Sequence, residues 1–191
     1  METYYQNAGG QRYMKKILET GQTWWSVERE AGEFYVMGGR PTEQVTLIKQ
    51  ECYVFDLDGT LFDNTPREHL VPDDPSRTEN WTEWNRACHL DLPIKYVVDI
   101  AKALGETGVE VRYVTSRCED GLPETIEALM VAGLPVGHVH MRKIGDNRCH
   151  TLVKLDEFNE ISKTYNIIAA FEDQQDVVDV LTDTGYNMIK V

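Results

Sequence analysis

Two aspartates two positions apart are the residues of this sequence whose types and spacing most clearly suggest chemistry. Asp56 and Asp58 directly follow an apolar run at residues 52–55, and side chains at positions i and i+2 of an extended chain point the same way. Carboxylates at the end of a buried strand repel each other and are costly to desolvate unless a cation neutralises them. Oxygen ligands at this spacing suit Mg²⁺. The pair therefore predicts a Mg²⁺ site, although an Asp- and Gly-rich turn explains the same residues equally well.

The two residues after this pair carry groups that suit a phosphate. Gly59 lets the backbone turn tightly, and Thr60 offers a hydroxyl and a backbone N–H. A tight loop of this kind presents its amides to an anion. We therefore expect Gly59 and Thr60 to contact a phosphate group of the substrate.

Other predicted strands and helices also carry polar residues at their ends. Glu172 and Asp173 close an apolar run and supply further acid ligands, whereas Thr115 closes another and supplies a hydroxyl. Lys154, near the start of a predicted helix, supplies a positive charge. Each residue alone has a simpler explanation: a strand-end cap, a helix N-cap or a solvated surface lysine. Their shared position at the ends of adjacent elements is harder to explain by chance and predicts one site.

The elements that would position these residues alternate along the chain from residue 51 onward. Short apolar runs followed by stretches of helical periodicity predict an α/β fold with a mostly parallel sheet covered on both faces. Ligands of such sheets bind beyond the carboxyl ends of the strands, so the residues after 55, 114 and 171 should converge. Strands are predicted over residues 52–55, 109–114, 136–141, 167–171 and 188–191. Helices are predicted after Asn80, at Pro93, at Asp120 or Leu122 with Pro123, and over residues 152–161 and 177–181.

Two segments fall outside this alternation. Residues 1–50 mix polar and aromatic side chains with two Gly-Gly pairs, which predicts a β-rich N-terminal extension packed on the main domain, with strands over 33–37 and 44–48. Residues 62–92 form an insertion in the 51–191 domain, between the Asp56–Thr60 segment and the helix predicted at Pro93. Its position is that of a cap over a binding site. Its Trp81 and Trp84 could stack on a base, but their three-residue spacing favours a core position for Trp84 and leaves Trp81 open.

Composition limits the class of function. The chain has 19 basic and 32 acidic residues and a net charge of −13, so a globally basic nucleic-acid-binding surface is absent. Small phosphate esters or strand ends are therefore expected rather than long duplexes. The four cysteines are widely spaced, and the sequence has no apolar run of membrane-spanning length, which predicts no membrane partner and a reducing, cytoplasmic location, or the host cytoplasm for a phage-encoded protein.

Four segments resemble, in order, the motifs of the haloacid dehalogenase-like phosphatase superfamily. They are YVFDLDGTL, YVTSR, LVK and AAFED, which together span residues 53–173. Within that superfamily the chain looks most like the 3′-phosphatase domain of phage polynucleotide kinases. The supporting features are Trp84, Cys88 and Asp91-Leu92-Pro93 between the first two motifs, and the segments TSR, MRKIGDNR and FEDQQDVVDVL. The resemblance implies a Rossmann-like α/β fold with a short cap and a Mg²⁺ cofactor. No GxxxxGK[ST] loop occurs in this sequence, so no kinase half is expected.

The resemblance also implies a role for each motif residue. Asp56 would be the nucleophile that forms an aspartyl-phosphate, and Asp58 would act first as general acid and then as general base. Thr115 and Lys154 would hold and neutralise the transferring phosphoryl group. The implied metal ligands are Asp56, the backbone carbonyl of Asp58, Glu172 and Asp173, and the implied substrate contacts are Gly59, Thr60, Ser116, Arg117 and Arg148.

Departures from the phage pattern keep the substrate open. His150 stands where an aspartate is expected, and Gln174 stands where an arginine is common. The main hypothesis is therefore a Mg²⁺-dependent phosphomonoesterase acting on nucleotides or on 3′-phosphate ends. The alternatives are a phosphatase for mononucleotides or small metabolites, a catalytically silent protein that binds a phosphorylated ligand, and an interaction protein whose acidic surface mimics nucleic acid.

Overall fold

The structure is a computed structural model that describes residues 2–30, 33–41, 44–135 and 137–191. It divides into two compact units, Met1–Gln50 and Glu51–Val191. The first unit is an antiparallel sheet in the order β4-β3-β2-β1-β5. Two of its strands correspond to those predicted at 33–37 and 44–48; the other three precede them and carry too few regularly alternating apolar residues to be predicted. The strands are β1 (Glu2–Asn7), β2 (Arg12–Ile17), β3 (Thr23–Glu30), β4 (Glu33–Val36) and β5 (Val45–Leu47).

The second unit is built on a five-stranded parallel sheet flanked by helices, so the predicted α/β class is confirmed. The strand order is β10-β9-β6-β11-β12, which places β6 at the centre with β9 and β11 beside it. The strands are β6 (Gln50–Phe55), β9 (Glu110–Cys118), β10 (Val139–Arg142), β11 (Tyr165–Glu172) and β12 (Met188–Lys190), and the short strands β7 (Phe62–Asp63) and β8 (Leu92–Pro93) form a separate antiparallel pair.

Five α-helices of the second unit fall within the described residues. They are α1 (Thr82–Arg86), α2 (Lys95–Glu106), α3 (Leu122–Val131), α4 (His150–Thr164) and α5 (Gln175–Asp183). Alternate residues of β6 divide the apolar core between the two faces of the sheet. Phe55 packs in a cluster with residues of α2 and α3, whereas Cys52 and Val54 pack with residues of α4 and α5. No described helix combines the length and the apolar character that a bilayer crossing requires.

Several predicted boundaries are wrong, and each has a local cause. Asn80 does not cap a helix: it lies inside the 3₁₀ helix Thr78–Trp81, and its amide donates to Asp74 instead. Pro93 lies in β8, where its lack of an N–H is tolerated, and α2 begins two residues later at Lys95. The strand predicted over 109–114 runs on to Cys118, because β10 pairs beside its polar end.

Other predictions agree with the structure. Helix α3 begins at Leu122 with Pro123 in its first turn, as predicted, and α5 ends before Gly185, whose φ is +98°. The strand predicted over 136–141 is observed as β10, although position 136 lies outside the described residues. Helix α4 covers the residues 152–161 predicted to be helical: its core face includes Leu155, Phe158 and Ile161, whereas Leu152 at its first turn is exposed.

Candidate active site

The turn after β6 brings the first motif to the carboxyl edge of the sheet. Its sharp bend comes at Gly59, whose φ is +86° and whose N–H donates to the carbonyl of Phe62. A Cβ at this position would also collide with the carboxylate of Asp173. Glycine is therefore required twice, once by the left-handed backbone and once by the close approach of an acidic side chain.

Lys154 joins two carboxylates from the central strands. Its Nζ donates to Oδ1 of Asp56 at 2.7 Å and to Oε2 of Glu172 at 2.7 Å. All three side chains are almost fully buried, and Asp173 adds a third carboxylate to the group. One ammonium thus faces three acidic groups, so the cluster is short of positive charge.

The pKa values of the cluster reflect this imbalance. The pKa of Glu172 is raised to about 8, chiefly by burial and then by the neighbouring charge of Asp56, while the charge and hydrogen bond of Lys154 act in the opposite direction. Burial also raises the pKa of Asp56, again against the charge of Lys154. The pKa of Lys154 is raised despite its burial, because the two carboxylates stabilise the ammonium. An added cation would stabilise the ionised carboxylates.

The donor set fits a divalent cation. Asp56, Glu172 and Asp173 each offer one carboxylate oxygen, and these oxygens lie within 4.8 Å of one another. Oδ2 of Asp56 is buried and has no hydrogen-bond partner among the described residues, which leaves it available to a ligand. Hard oxygen donors of this kind are those that Mg²⁺ prefers. The carboxylate of Asp58 lies outside this group and binds arginines, which leaves its backbone carbonyl, the atom that the resemblance implies as a ligand, a prediction.

Two arginines hold Asp58. Arg117 donates from Nε to Oδ2 at 2.8 Å and from Nη2 to Oδ1 at 2.7 Å, and Nη2 of Arg67 also donates to Oδ1. Burial alone would raise the pKa of Asp58, but the charge and hydrogen bonds of Arg117, with the charge of Arg67, hold that pKa below its usual value. The carboxylate is thereby fixed in position beside Asp56.

A second aspartate completes this network and was missed from the sequence. Asp91 is fully buried, accepts two hydrogen bonds from Arg67 at 2.6 and 2.8 Å, and accepts a third from Arg117 at 2.8 Å. Burial raises the pKa of Asp91, although both arginines oppose the increase. Arg67 and Asp91 both come from the insertion, where no periodicity marks them. The Asp-Leu-Pro sequence at residues 91–93, which supported the family resemblance, was the one available indication.

The insertion forms one wall of a cavity of about 530 Å³ next to the network. Trp84 was expected in the core, but the guanidinium of Arg67 stacks 3.5 Å from its ring centroid, and its ring lines this cavity with that of Trp81. The two rings meet edge to face at 5.4 Å. Stacking on a buried arginine, rather than packing in the apolar core, explains the position of Trp84. Asp58, Gly59 and Asp173 also line the cavity, whereas the buried Asp56 is not one of its lining residues.

The three hydroxyl side chains predicted to contact the phosphoryl group or the substrate differ in whether they already form hydrogen bonds within the protein. Thr115 is buried at the site edge, and its hydroxyl accepts from the N–H of Arg117 at 3.2 Å, so its own proton is available to donate. The side chain of Ser116 lines the cavity with no hydrogen-bond partner within the described segments. Thr60 is fully buried: its hydroxyl lies 3.4 Å from Asp173 and its N–H bonds to Leu57, so both groups face protein rather than the cavity.

The two predicted substrate arginines are both engaged by carboxylates. Arg117 is buried against Asp58 and Asp91, so it positions the predicted acid instead of projecting into the cavity. Arg148 lines the cavity and is half exposed, and it forms ion pairs of 2.7 and 2.8 Å with Asp146 and Asp156. The site therefore combines the buried carboxylate of Asp56, the second carboxylate of Asp58, the ammonium of Lys154 and the hydroxyl of Thr115, which is a set able to carry out phosphoryl transfer.

Comparison with protein families gives one match that covers most of the chain. The family model for the polynucleotide kinase PNKP phosphatase domain matches residues 50–191. A search of curated protein sequences found no match.

Solved structures share the fold at low sequence identity. A chain of the "Structure of the Pnkp1/Rnl/Hen1 RNA repair complex" is 22% identical with a TM-score of 0.62, over 75% of this chain and 42% of that one. A second structure of the Pnkp1/Rnl/Hen1 complex gives 21% and 0.60, over 85% and 55%. The class C acid phosphatase from Bacillus anthracis gives 23% and 0.55, over 74% and 66%. The chain thus spans about half the length of the first two structures it matches.

Proposed function

The chain belongs to the family of polynucleotide kinase PNKP phosphatase domains, and from that premise we propose that it is a Mg²⁺-dependent phosphomonoesterase acting through an aspartyl-phosphate. The substrates would be nucleotides or the 3′-phosphate ends of nucleic acids. The observation that carries the proposal is the buried cluster in which Lys154 bridges Asp56 and Glu172 while Oδ2 of Asp56 stays unpartnered.

In the first step a carboxylate oxygen of Asp56 attacks phosphorus, and the bond from phosphorus to the leaving oxygen breaks. Asp58 gives its proton to that leaving oxygen, so the alcohol departs neutral. Lys154 and the hydroxyl of Thr115 stabilise the charge on the phosphoryl oxygens during the transfer. Arg117 and Arg67 keep Asp58 oriented through the hydrogen bonds that fix its two oxygens.

In the second step Asp58, now ionised, takes a proton from water. The water oxygen attacks phosphorus, the bond between Asp56 and phosphorus breaks, and inorganic phosphate leaves. Asp56, Glu172 and Asp173 would hold a Mg²⁺ ion, which would supply charge neutralisation to the phosphoryl group when bound.

Replacement of the nucleophile tests this proposal directly. In Mg²⁺, the Asp56→Asn chain should hydrolyse p-nitrophenyl phosphate about 10³-fold more slowly, or slower still, because the amide cannot form the phosphoenzyme.

Isotope labelling tests the intermediate. Single turnover of the unmodified chain in H₂¹⁸O should place ¹⁸O in phosphate, and repeated turnover should place none in Asp56, since water attacks phosphorus. An acid-stable, hydroxylamine-sensitive phosphoryl label should form only when Asp56 is present. The matched Asp183→Asn change, at the exposed end of α5, should leave turnover unchanged. Equal activity of Asp56→Asn would refute the proposal.

The substrate alternative is a mononucleotide or a small metabolite. His150 and Gln174 are two positions where the chain departs from the phage pattern, and both line the cavity. The side chains that a substrate would meet there therefore differ from those of the phage phosphatases. Initial rates with 3′-phosphorylated oligonucleotides, 3′- and 5′-mononucleotides and sugar phosphates would separate the two classes. A kcat/KM highest for sugar phosphates would support the metabolite class.

A further inference from the structure

His150 lies in the cavity wall with one ring nitrogen held by a carboxylate. It is the first residue of α4, its side chain is partly exposed, and it lines the same cavity as Asp58 and Asp173. Its Nε2 lies 2.7 Å from Oδ2 of Asp176, the second residue of α5. Within the described residues, its Nδ1 makes no hydrogen bond. The carboxylate of Asp176 thus fixes the orientation of the imidazole and leaves one nitrogen for another partner.

The place of His150 on α4 puts it on the side of the cavity where the phosphoryl group would react. Side chains at positions i and i+4 of a helix are neighbours on one face, so His150 stands one turn from Lys154, whose Nζ contacts Asp56. Its partner Asp176 stands three positions after Asp173, a member of the carboxylate cluster. A phosphate group that approaches Asp56 from the cavity therefore comes close to the imidazole.

The ion pair with Asp176 favours the protonated form of His150. Burial acts to raise the pKa of Asp176, but the hydrogen bond and the charge of His150 outweigh burial and hold that pKa below its usual value. The ionised carboxylate in turn stabilises an imidazolium.

The other ionisable groups of the cavity wall are mostly engaged elsewhere. Arg148 pairs with Asp146 and Asp156, and the Cys149 thiol bonds to the hydroxyl of Thr151. The wall's charged groups are Asp58, Arg117, Arg142, Arg148 and Asp173, and its thiols are Cys118 and Cys149. Among the described residues, Asp176 is the one group that forms an ion pair with His150.

We propose that protonated His150 donates from Nδ1 to an oxygen of the transferring phosphoryl group, so that the site binds phosphate esters and the phosphate product more tightly at acid to neutral pH. This inference rests on the proposed phosphatase function and adds a pH-dependent control to the same site. Asp176 acts as a positioning residue, because it accepts from Nε2 and supplies the counter-charge. When the ring loses its proton, Nε2–H stays with Asp176 and Nδ1 presents a lone pair to the phosphate. The contribution of His150 is therefore present at low pH and is lost as the pH rises through the range in which imidazoles deprotonate.

Binding of inorganic phosphate tests this contact without turnover. In isothermal titration of the full chain with Mg²⁺, His150→Gln should raise the Kd of inorganic phosphate about 10-fold at about pH 6 and less than about twofold at about pH 8.5. The ratio of the two Kd values at one pH cancels the titration of phosphate and of the groups that both chains share. The matched His89→Gln change, which removes an exposed imidazole of the insertion, should leave the Kd unchanged at both pH values.

Two further variants separate a phosphate contact from a structural role. His150→Arg keeps a positive charge at every pH used, so it should bind phosphate more tightly than His150→Gln at both pH values. Asp176→Asn removes the counter-charge, so the pH at which His150 ceases to contribute should fall.

Equal phosphate affinity of the unmodified and His150→Gln chains at about pH 6, or a loss of the same size at both pH values, overturns the proposal. Equal affinity of His150→Gln and His150→Arg at both pH values also overturns it. Hydrolysis of p-nitrophenyl phosphate with and without Asp56 reports separately on the phosphatase proposal. Phosphate binding through His150 would stand without turnover, and turnover would stand without this contact.

Discussion

At the scale of single residues, Asp58, the proposed acid, and Asp56, the proposed nucleophile, lie in different electrostatic environments. Asp56 faces other carboxylates with one lysine, and its pKa is raised chiefly by burial. Asp58 is also buried, but Arg117 and Arg67 reverse the effect and lower its pKa. Two aspartates two positions apart are thus pushed in opposite directions. The lowered pKa keeps Asp58 ionised, which suits the proposed second step, in which it takes a proton from water, and opposes the first step, in which it must carry a proton.

Arg67→Gln tests this assignment through the pH profile. Asp58 must carry a proton to act as acid, so kcat/KM should fall as the pH rises above the pKa of Asp58. Removing one of the charges that lower this pKa should raise it, and the descending limb of the profile should move to higher pH. The free energy of unfolding should also fall by about 3 kcal/mol, because Arg67 is fully buried against two carboxylates.

The control for this change is Arg86→Gln, which removes an exposed arginine of the same insertion. It should leave both the profile and the unfolding temperature unchanged. An Arg67→Gln profile that keeps its limb, or moves it to lower pH, would contradict the role given to Asp58.

Which site residues could be predicted follows from where they stand in the chain. Residues at the ends of strands, such as Asp56, Thr115 and Asp173, were found because parallel strands bring their carboxyl ends to one edge. Arg67 and Asp91 were not found, because long-range ion pairs between an irregular insertion and the sheet leave no periodic pattern. The engagement of Arg117 by Asp58 was missed for the same reason: residue type indicates charge but not the partner.

At the scale of elements, the turn after β6 has two separate requirements for glycine. Gly59→Ala should cost about 1–3 kcal/mol of stability, because a non-glycine residue at φ +86° is strained. It should also displace the carboxylate of Asp173, which the new Cβ would contact, and so weaken Mg²⁺ activation. Unfolding temperature and the Mg²⁺ concentration for half-maximal turnover measure the two effects separately.

Gly145→Ala is the matched control for the turn. Its φ is +84°, yet a Cβ there would meet nothing within 4 Å. It should show a similar loss of stability with no change in the Mg²⁺ requirement. Identical Mg²⁺ dependence of the two variants would show that Asp173 does not depend on the glycine.

The elements themselves were predictable to different degrees. Strands of the parallel sheet carry continuous apolar runs because both faces are covered, and these runs identified β6 and β11. The insertion contains three 3₁₀ helices that carry no continuous apolar run: Thr65–Leu70, Thr78–Trp81 and Ala87–Leu90. They are fixed instead by tertiary bonds, for example from the N–H of Thr78 to Asn147 at 2.8 Å, which sequence spacing does not indicate.

At the scale of the whole molecule, the family match and the apolar core cover the same part of the chain. The match begins at residue 50, and both core clusters draw their members from residues 52–191. The strands of the N-terminal sheet pair with one another, and Tyr13 and Trp25 of this unit are buried. The unit of residues 51–191 therefore holds the apolar core of an independently folding body, whereas the described residues of the N-terminal sheet contribute none of the members of either cluster.

Removal of residues 1–49 tests this independence. The chain starting at Gln50 keeps the complete parallel sheet, the site residues and the insertion, so it should hydrolyse p-nitrophenyl phosphate with a kcat/KM within about twofold of the full chain, as expected for uncoupled parts. Its thermal unfolding should remain a single cooperative transition. Full-length protein measured in parallel is the reference. A large loss of kcat/KM with an unchanged unfolding temperature would instead show that the N-terminal sheet contributes to catalysis, whereas a lowered unfolding temperature would show that it stabilises the phosphatase unit.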